Sequence, residues 1–351
     1  MGKTIRMSEL SEQRRQVLRS RIISIMNNKG GCAKTTSATA LGMYLARTGN
    51  NVLFWDNDSQ CNLTQRLGLP DGEQTDRRLD TLFRDADKNP DISLIAEYHY
   101  LQKIHGSKEE TGRIGLMPGS HMSESYASDL ADKYQKFGRE LKDRTQCNSI
   151  YDFFGRTMEF YKKYFDYIII DTAPALEGNI LNKLALMISD EIIIPIDSYE
   201  AALGIRQLLN WMEGQISPLD HKPNGLFIMT KYQLDTKGVR DYSIDKLSRN
   251  IIFSDMKKVF GDFVCNTGIQ ELRSLRLSAK GVPGFGGKTK YTELCKEIVE
   301  KISSERKNLF DFYASTDAIN DLELLLAVIE QNIRKRKPKF KVPKYGVINE
   351  E

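Results

Sequence analysis

The run Asn27-Asn28-Lys29-Gly30-Gly31-Cys32-Ala33-Lys34-Thr35-Thr36 constrains this chain more than any other stretch, because of what stands on either side of it. Before it, Ile22-Ile23-Ser24-Ile25-Met26 is a short apolar run of the kind a strand buried on both faces presents. After it, Ala38, Leu41, Leu45 and Ala46 recur at helical spacing between residues 35 and 47, and Gly49 closes the pattern. Residues 52–55 form the next buried run, ending at Asp56. Strand, glycine-rich loop, helix, strand is a βαβ unit, whose crossover is right-handed.

Further apolar runs at residues 114–117, 168–170, 192–196 and 226–229, with a weaker one at 263–265, alternate with helical patterns. The expectation is an α/β fold: a doubly wound, mostly parallel sheet with helices on both faces. Residues 71–163 are long, polar and charged around one apolar run, and read as helical decoration of the same domain. Ile319, Leu322, Leu326, Ile329 and Ile333 make a stripe along one later helix. The domain organisation expected is a short N-terminal helix at 1–20, a nucleotide-binding domain at 21–302, a helical extension at 303–333 and a basic tail at 334–351.

Composition narrows the class. The net charge of +4 tolerates a polyanionic partner without specifying one. Five scattered cysteines, Cys32, Cys61, Cys147, Cys265 and Cys295, form no C-x-x-C pair, which argues against a disulfide framework or zinc site and fits a reducing cytoplasm. No run approaches the roughly 20 apolar residues of a membrane span.

The loop itself answers a phosphate. Glycines let backbone N–H groups converge on an anion, and the helix that follows aims its positive end at the same point. Lys34 can reach β and γ oxygens, and the Thr35 hydroxyl can ligate Mg²⁺. The general phosphate-loop pattern wants glycine where Asn28 and Ala33 stand; what is present instead is K-G-G-x-x-K-[ST]-[ST], with an added lysine at its start. That pattern resembles the deviant-Walker loop of the ParA/MinD family of P-loop ATPases.

Two further stretches extend the resemblance. Asp56-Asn57-Asp58-Ser59-Gln60-Cys61-Asn62-Leu63-Thr64 is similar to the family's D-x-D-x-Q-x-N-x-T signature, and Asp171-Thr172-Ala173-Pro174, at the end of an apolar strand, to its D-x-x-P switch. Acidic side chains at the ends of parallel strands suit metal–water coordination beside a triphosphate. The resemblance spans about residues 21–302. It implies ATP and Mg²⁺ as cofactors, with Lys29, Gly30, Gly31, Cys32, Ala33, Lys34, Thr35 and Thr36 around the phosphates. It implies Thr35, Asp56 and Asp171 in the metal shell and Asp58 as the residue orienting the attacking water. Thr230 and Lys231 occupy the place where the family holds adenine.

The family also implies a slow, partner-stimulated ATP hydrolase that forms an ATP-sandwich homodimer, Lys29 of each subunit reaching the other's phosphates. Non-specific DNA and a ParB-like protein are the implied partners, in plasmid or chromosome partition on the nucleoid. Arg273, Arg276 and Lys280 share one face of a predicted helix, with Lys288 and Lys290 close behind; they are either a phosphate-neutralising surface or an ordinary solvated face. A MinD-like membrane-associated positioner, using the stripe from Ile319 to Ile333, and a ParA-like positioner of non-DNA cargo are the alternatives. Gln60 and Asn62 favour the ParA form, and Asp317, Asp321, Glu323 and Glu330 would oppose anionic lipid.

Overall fold

The computed structural model describes residues 19–68, 78–88, 100–103, 112–137, 149–175, 178–216, 222–230, 244–269 and 290–315, then 317, 320–324, 326–328 and 331. Among them, seven strands share one sheet: β1 (Arg21–Ile25), β2 (Val52–Asp56), β3 (Tyr100–Lys103), β4 (Arg113–Met117), β5 (Tyr167–Asp171), β6 (Glu191–Ile196) and β7 (Asn224–Met229). Their order is β3-β4-β2-β5-β1-β6-β7. Every neighbouring pair is parallel except β3 with β4. The doubly wound, mostly parallel sheet expected from the strand pattern is therefore present, with an antiparallel edge strand added inside the 71–163 stretch.

The interiors of the parallel strands are apolar because both faces of the sheet are covered. Along β1, Ile23 and Ile25 face one cluster while Ile22 faces another, as a period of two requires. The first face carries α1 (Lys34–Arg47) and a late helix, Lys290–Ser303, hereafter α10. α1 lies so close to β2 that a Cβ on Gly42 would stand 2.3 Å from the Phe54 ring, so glycine is what allows this approach.

The opposite face is divided. Over β2 and β5, Trp55, Ile168 and Ile170 pack under α3 (Leu79–Lys88), α4 (Ser123–Phe137), α5 (Ile150–Tyr161) and α6 (Ile180–Ile188). Over β6 and β7 lie α7 (Tyr199–Leu203), α8 (Ile205–Ile216), α9 (Ile244–Phe260) and α11 (Leu309–Ser315). A short α2 (Asn62–Arg66) follows β2 at the strands' C-terminal end.

The weak strand expected at 263–265 is reduced to a single bridge. A 3₁₀ turn at Gly261–Phe263 delivers Val264 opposite Phe227, and the Cys265 amide donates to the Phe227 carbonyl at 2.9 Å. The ladder is then interrupted because Glu297 of α10 takes the next amides, those of Asn266 and Thr267, before the Ile269 amide returns to the Met229 carbonyl at 2.8 Å.

The chain after α10 is fastened to the sheet. Arg306 pairs with buried Glu191 and donates to the Gly225 carbonyl at 3.0 Å, which offsets the burial that pushes the Glu191 pKa up. Leu309 rests on Gly225, where a Cβ would meet its side chain at 2.5 Å. Beyond α11, Leu322 and Leu326 are buried in the same cluster as Phe227 and Leu209, and Arg206 of α8 binds Glu323 and Asn320. The stripe thus packs on the sheet over β6 and β7, as far as it is described; Ile319, Ile329 and Ile333 lie outside the described residues. With those leucines turned inward, that part of the stripe is not a lipid-facing surface.

Candidate nucleotide site

Register brings the site together. Ile25 at the end of β1 and Asp56 at the end of β2 are both level with Asp171 at the end of β5, the strand between them. The loop leaving β1 therefore opens beside both carboxylates, at the C-terminal edge where parallel sheets bind ligands. The Asn57 amide donates to the Asp171 carbonyl at 2.9 Å, carrying the pairing past the strand end.

The loop turns through two left-handed residues, Gly31 (φ 75°) and Ala33 (φ 71°, ψ 28°). Asn27 organises its entry: its side chain donates to the Pro195 carbonyl at 2.7 Å and accepts from the Lys29 amide at 2.8 Å. Lys34 is buried and folds back across the loop, Nζ donating to the carbonyls of Asn27 (3.1 Å) and Lys29 (2.9 Å). Cys32 is fully buried with Sγ toward the Lys29 carbonyl, a packing position inside the turn. Thr230 braces the loop from β7, its hydroxyl donating to the Cys32 carbonyl at 3.0 Å. α1 begins with no side-chain cap and no acidic residue in its first turn, so its positive end is left for an external anion.

Ala33 holds a conformation that costs an L-residue with a Cβ roughly 1 kcal/mol. Ala33→Gly is accordingly expected to stabilise the nucleotide-free protein by about 1 kcal/mol, less the entropy glycine loses on folding. Denaturant unfolding checks this; a loss of stability would mean that the turn is not left-handed at residue 33.

The carboxylates sit in unlike settings. Asp56 is fully buried, and its Oδ2 accepts from the Thr64 hydroxyl (2.6 Å) and amide (2.8 Å). Burial pushes its pKa up to about 6 despite those bonds. Asp171 is fully buried too, and neither carboxylate oxygen meets a donor in good geometry, the Thr35 hydroxyl being the one hydrogen-bonding side chain near enough to lower its pKa. Burial, then the nearby charges of Asp56 and Asp58, push it up to about 8, which Thr35 and Lys34 offset in part. Asp58 is buried at the start of the following turn, where its Oδ1 accepts from the Gln60 amide at 2.9 Å.

Lys29 leaves the loop in another direction. Its Nζ donates to Ser198 Oγ at 2.5 Å and lies 3.4 Å from Asp197 and 3.5 Å from Glu200, all just past the end of β6. Ser198 also caps α7, accepting from the Ala201 amide. These three partners were not singled out by sequence reasoning. The available signals were Pro195 at a strand end and the Ser-x-x-Ala cap after it, neither of which specifies a lysine 169 residues earlier.

The structure thus brings Lys29, Lys34, Thr35, Thr36, Asp56, Asp58, Asp171 and Thr230 to one edge of the sheet. Lys231, Arg273, Arg276, Lys280 and Lys288 lie outside the described residues. Lys290 is exposed at the first position of α10, beside Glu293.

A family model described as an AAA domain (AAA_31) matches residues 20–220. The sporulation initiation inhibitor Soj of Bacillus subtilis is 29% identical over 293 residues, covering 79% of this chain and 98% of Soj. An uncharacterised protein of Methanocaldococcus jannaschii, MJECL24, is 34% identical over 221 residues, 62% of this chain and 75% of that protein. Among solved structures, apo McdA from Cyanothece superposes with a TM-score of 0.58 at 20% identity, covering 80% of this chain and 99% of McdA, a likeness of fold.

Proposed function

Since the chain belongs to the AAA-domain family of ParA-type, deviant-Walker P-loop ATPases, we propose that it hydrolyses ATP as a dimerisation switch that partitions DNA. In this reading ATP is sandwiched between two subunits, with Lys29 of each touching the other's phosphates. The dimer binds DNA without sequence preference in the nucleoid-associated cytoplasm, and a ParB-like protein stimulates hydrolysis to release it.

One observation carries the reading: a fully buried Asp171 whose oxygens have no close partner beyond the Thr35 hydroxyl, at the edge where a helix begins with neither cap nor acid and with Lys34 turned across the loop. A protein stabilises neither half of that arrangement by itself. MgATP would satisfy both at once, its cation at the carboxylate and its phosphates at the lysines and the helix dipole. Thr35 and Asp171, with Asp56 behind them, are the residues that would hold Mg²⁺, which when bound neutralises charge on the β and γ oxygens. Among the described residues no group of three His, Cys, Asp or Glu side chains forms a metal site. That suits a cation held by one or two carboxylates, water and phosphate.

The residues then divide the work. Lys34 exchanges its bonds to the loop carbonyls for phosphate oxygens. Asp58 orients the attacking water at the strand edge. The C-terminal edge of the sheet couples phosphate contact to the segment carrying Asp197, Ser198 and Glu200, because Lys29 must leave those groups to reach a partner subunit.

The test is steady-state phosphate release with MgATP, alone and with DNA. Asp58→Ala is expected to lower turnover by about 100-fold or more while leaving an ATP-bound dimer that no longer dissociates. Unchanged turnover in that variant removes Asp58 from the mechanism. Binding of ATP by Lys34→Ala as tight as wild type would remove the loop itself.

A further inference from the structure

Arg66 lies outside the three signature stretches, as the last residue of α2, yet its side chain returns to the first turn of α1. Nη1 donates to Thr36 Oγ1 at 2.9 Å. Its backbone has little freedom: Thr64 is bound twice to Asp56, and Leu63 and Leu67 are buried on either side. The guanidinium is partly withdrawn from water, and burial pulls its pKa down against the opposing influence of Tyr291 and Asp171.

A cation in that place is unexpected on local grounds. It adds positive charge to the positive end of a helix that already has Lys34 in its first turn, an arrangement that is unfavourable until an anion arrives. The partner it chooses is a neutral hydroxyl, and that choice has a consequence for the hydroxyl's proton. A helical threonine ordinarily sends its proton back to the carbonyl four residues earlier, as Thr39 does to Thr35 at 2.7 Å. For Thr36 that carbonyl belongs to Cys32, which already accepts from Thr230. The carbonyl of Ala33, three residues earlier, accepts the Ser37 amide. Thr36 Oγ1 accepts from Arg66 and, among the described residues, donates to neither of these carbonyls, which leaves its own proton for an external acceptor at the loop. A hydroxyl that accepts from a cation is also the stronger donor.

We propose that Arg66 is a positioning residue for the nucleotide: by donating to Thr36 Oγ1 it fixes and polarises that hydroxyl as a donor to a phosphate oxygen of the bound nucleoside polyphosphate. This rests on the nucleotide occupying the loop, as proposed above. Because the contact is to the first turn of α1 and not to the reacting γ-phosphate, it serves di- and triphosphate alike and is felt as uniform binding.

The experiment is a double-mutant cycle read by ATP and ADP titration and by steady-state kinetics on the full chain. Arg66→Gln is expected to weaken ATP and ADP binding about tenfold each, raising KM in proportion with kcat within about twofold, as a lost charge-assisted hydrogen bond implies. Thr36→Ala should cost a similar factor. Adding Arg66→Gln to Thr36→Ala should change binding by less than about twofold, because the arginine acts through the hydroxyl. Arg66→Lys should recover part of the affinity, and it keeps the test available if the glutamine variant fails to fold. Independent, multiplying effects in the double variant overturn the inference, as do a fall in kcat at unchanged KM or wild-type affinity in a folded Arg66→Gln protein. Lys34→Ala serves as the control: wild-type nucleotide affinity there would instead sink the loop reading beneath it.

Discussion

Asp171→Asn is expected to make the nucleotide-free protein more stable, by about 2 kcal/mol or more, while lowering ATP turnover at least about 100-fold. The two effects have one origin. Asp171 is fully buried, its oxygens have no close partner beyond the Thr35 hydroxyl, and Asp56 is level with it on the adjoining strand. Keeping a carboxylate there costs the protein either the burial of a charge or the energy of protonating it at neutral pH, and its pKa, pushed up to about 8, reflects that cost. An amide of the same shape removes the charge, relieves the repulsion from Asp56 and Asp58, and leaves the β5 packing intact. It also removes the group best placed to hold a cation against the phosphates. Denaturant unfolding without nucleotide and phosphate release with MgATP measure the two halves. A destabilised Asn variant would show that Asp171 is satisfied in the folded protein, and the argument from its poorly partnered oxygens would be lost.

That same pair of strands shows what could be read from the sequence and why. β1, β2, β4, β5, β6 and β7 were legible because a parallel strand covered on both faces has to be apolar along most of its length, and such runs end abruptly where the chain enters a polar edge. Asp56 and Asp171 were legible for the same reason: each is the first charged residue after a buried run, which puts it at the ligand-binding edge. β3 was not, because Tyr100–Lys103 is a short antiparallel edge strand without an apolar run to mark it. The bridge at Val264 was overread as a strand, since the preference of Glu297 for the next amides is a tertiary fact.

Within the site, the residue types demanded by phosphate chemistry announced themselves in one contiguous loop. What surrounds them did not. Thr230 braces Cys32 across 198 residues, Ser198 receives Lys29 across 169, and Arg66 reaches Thr36 across 30. None of these pairs has a spacing or periodicity of its own; each exists because neighbouring strands end at one edge. Ala33 is a different case. The sequence showed that a glycine was missing from the expected pattern, and the structure shows what that implies, a left-handed alanine at the helix start.

Lys29→Ala is the substitution that separates nucleotide binding from assembly. In the single chain Lys29 Nζ is held by Ser198, Asp197 and Glu200 rather than by the loop it grows from, and Lys34 alone of the two lysines is turned across the loop. Removing Lys29 should therefore leave ATP affinity of the monomer within about threefold, and stability within about 1 kcal/mol, because its ion pairs are partly exposed. The ATP-dependent dimer should be weakened by about 100-fold or more, the loss of a charge-assisted contact to phosphate made twice, once from each subunit. Sedimentation of the variant with a non-hydrolysable ATP analogue reads the dimer, and fluorescence titration reads the nucleotide. Dimers of wild-type strength would mean that Lys29 belongs to its own subunit's Asp197 throughout the cycle. Loss of ATP binding in the monomer would put both lysines on the same nucleotide. Either result would replace the sandwich with a switch confined to one chain.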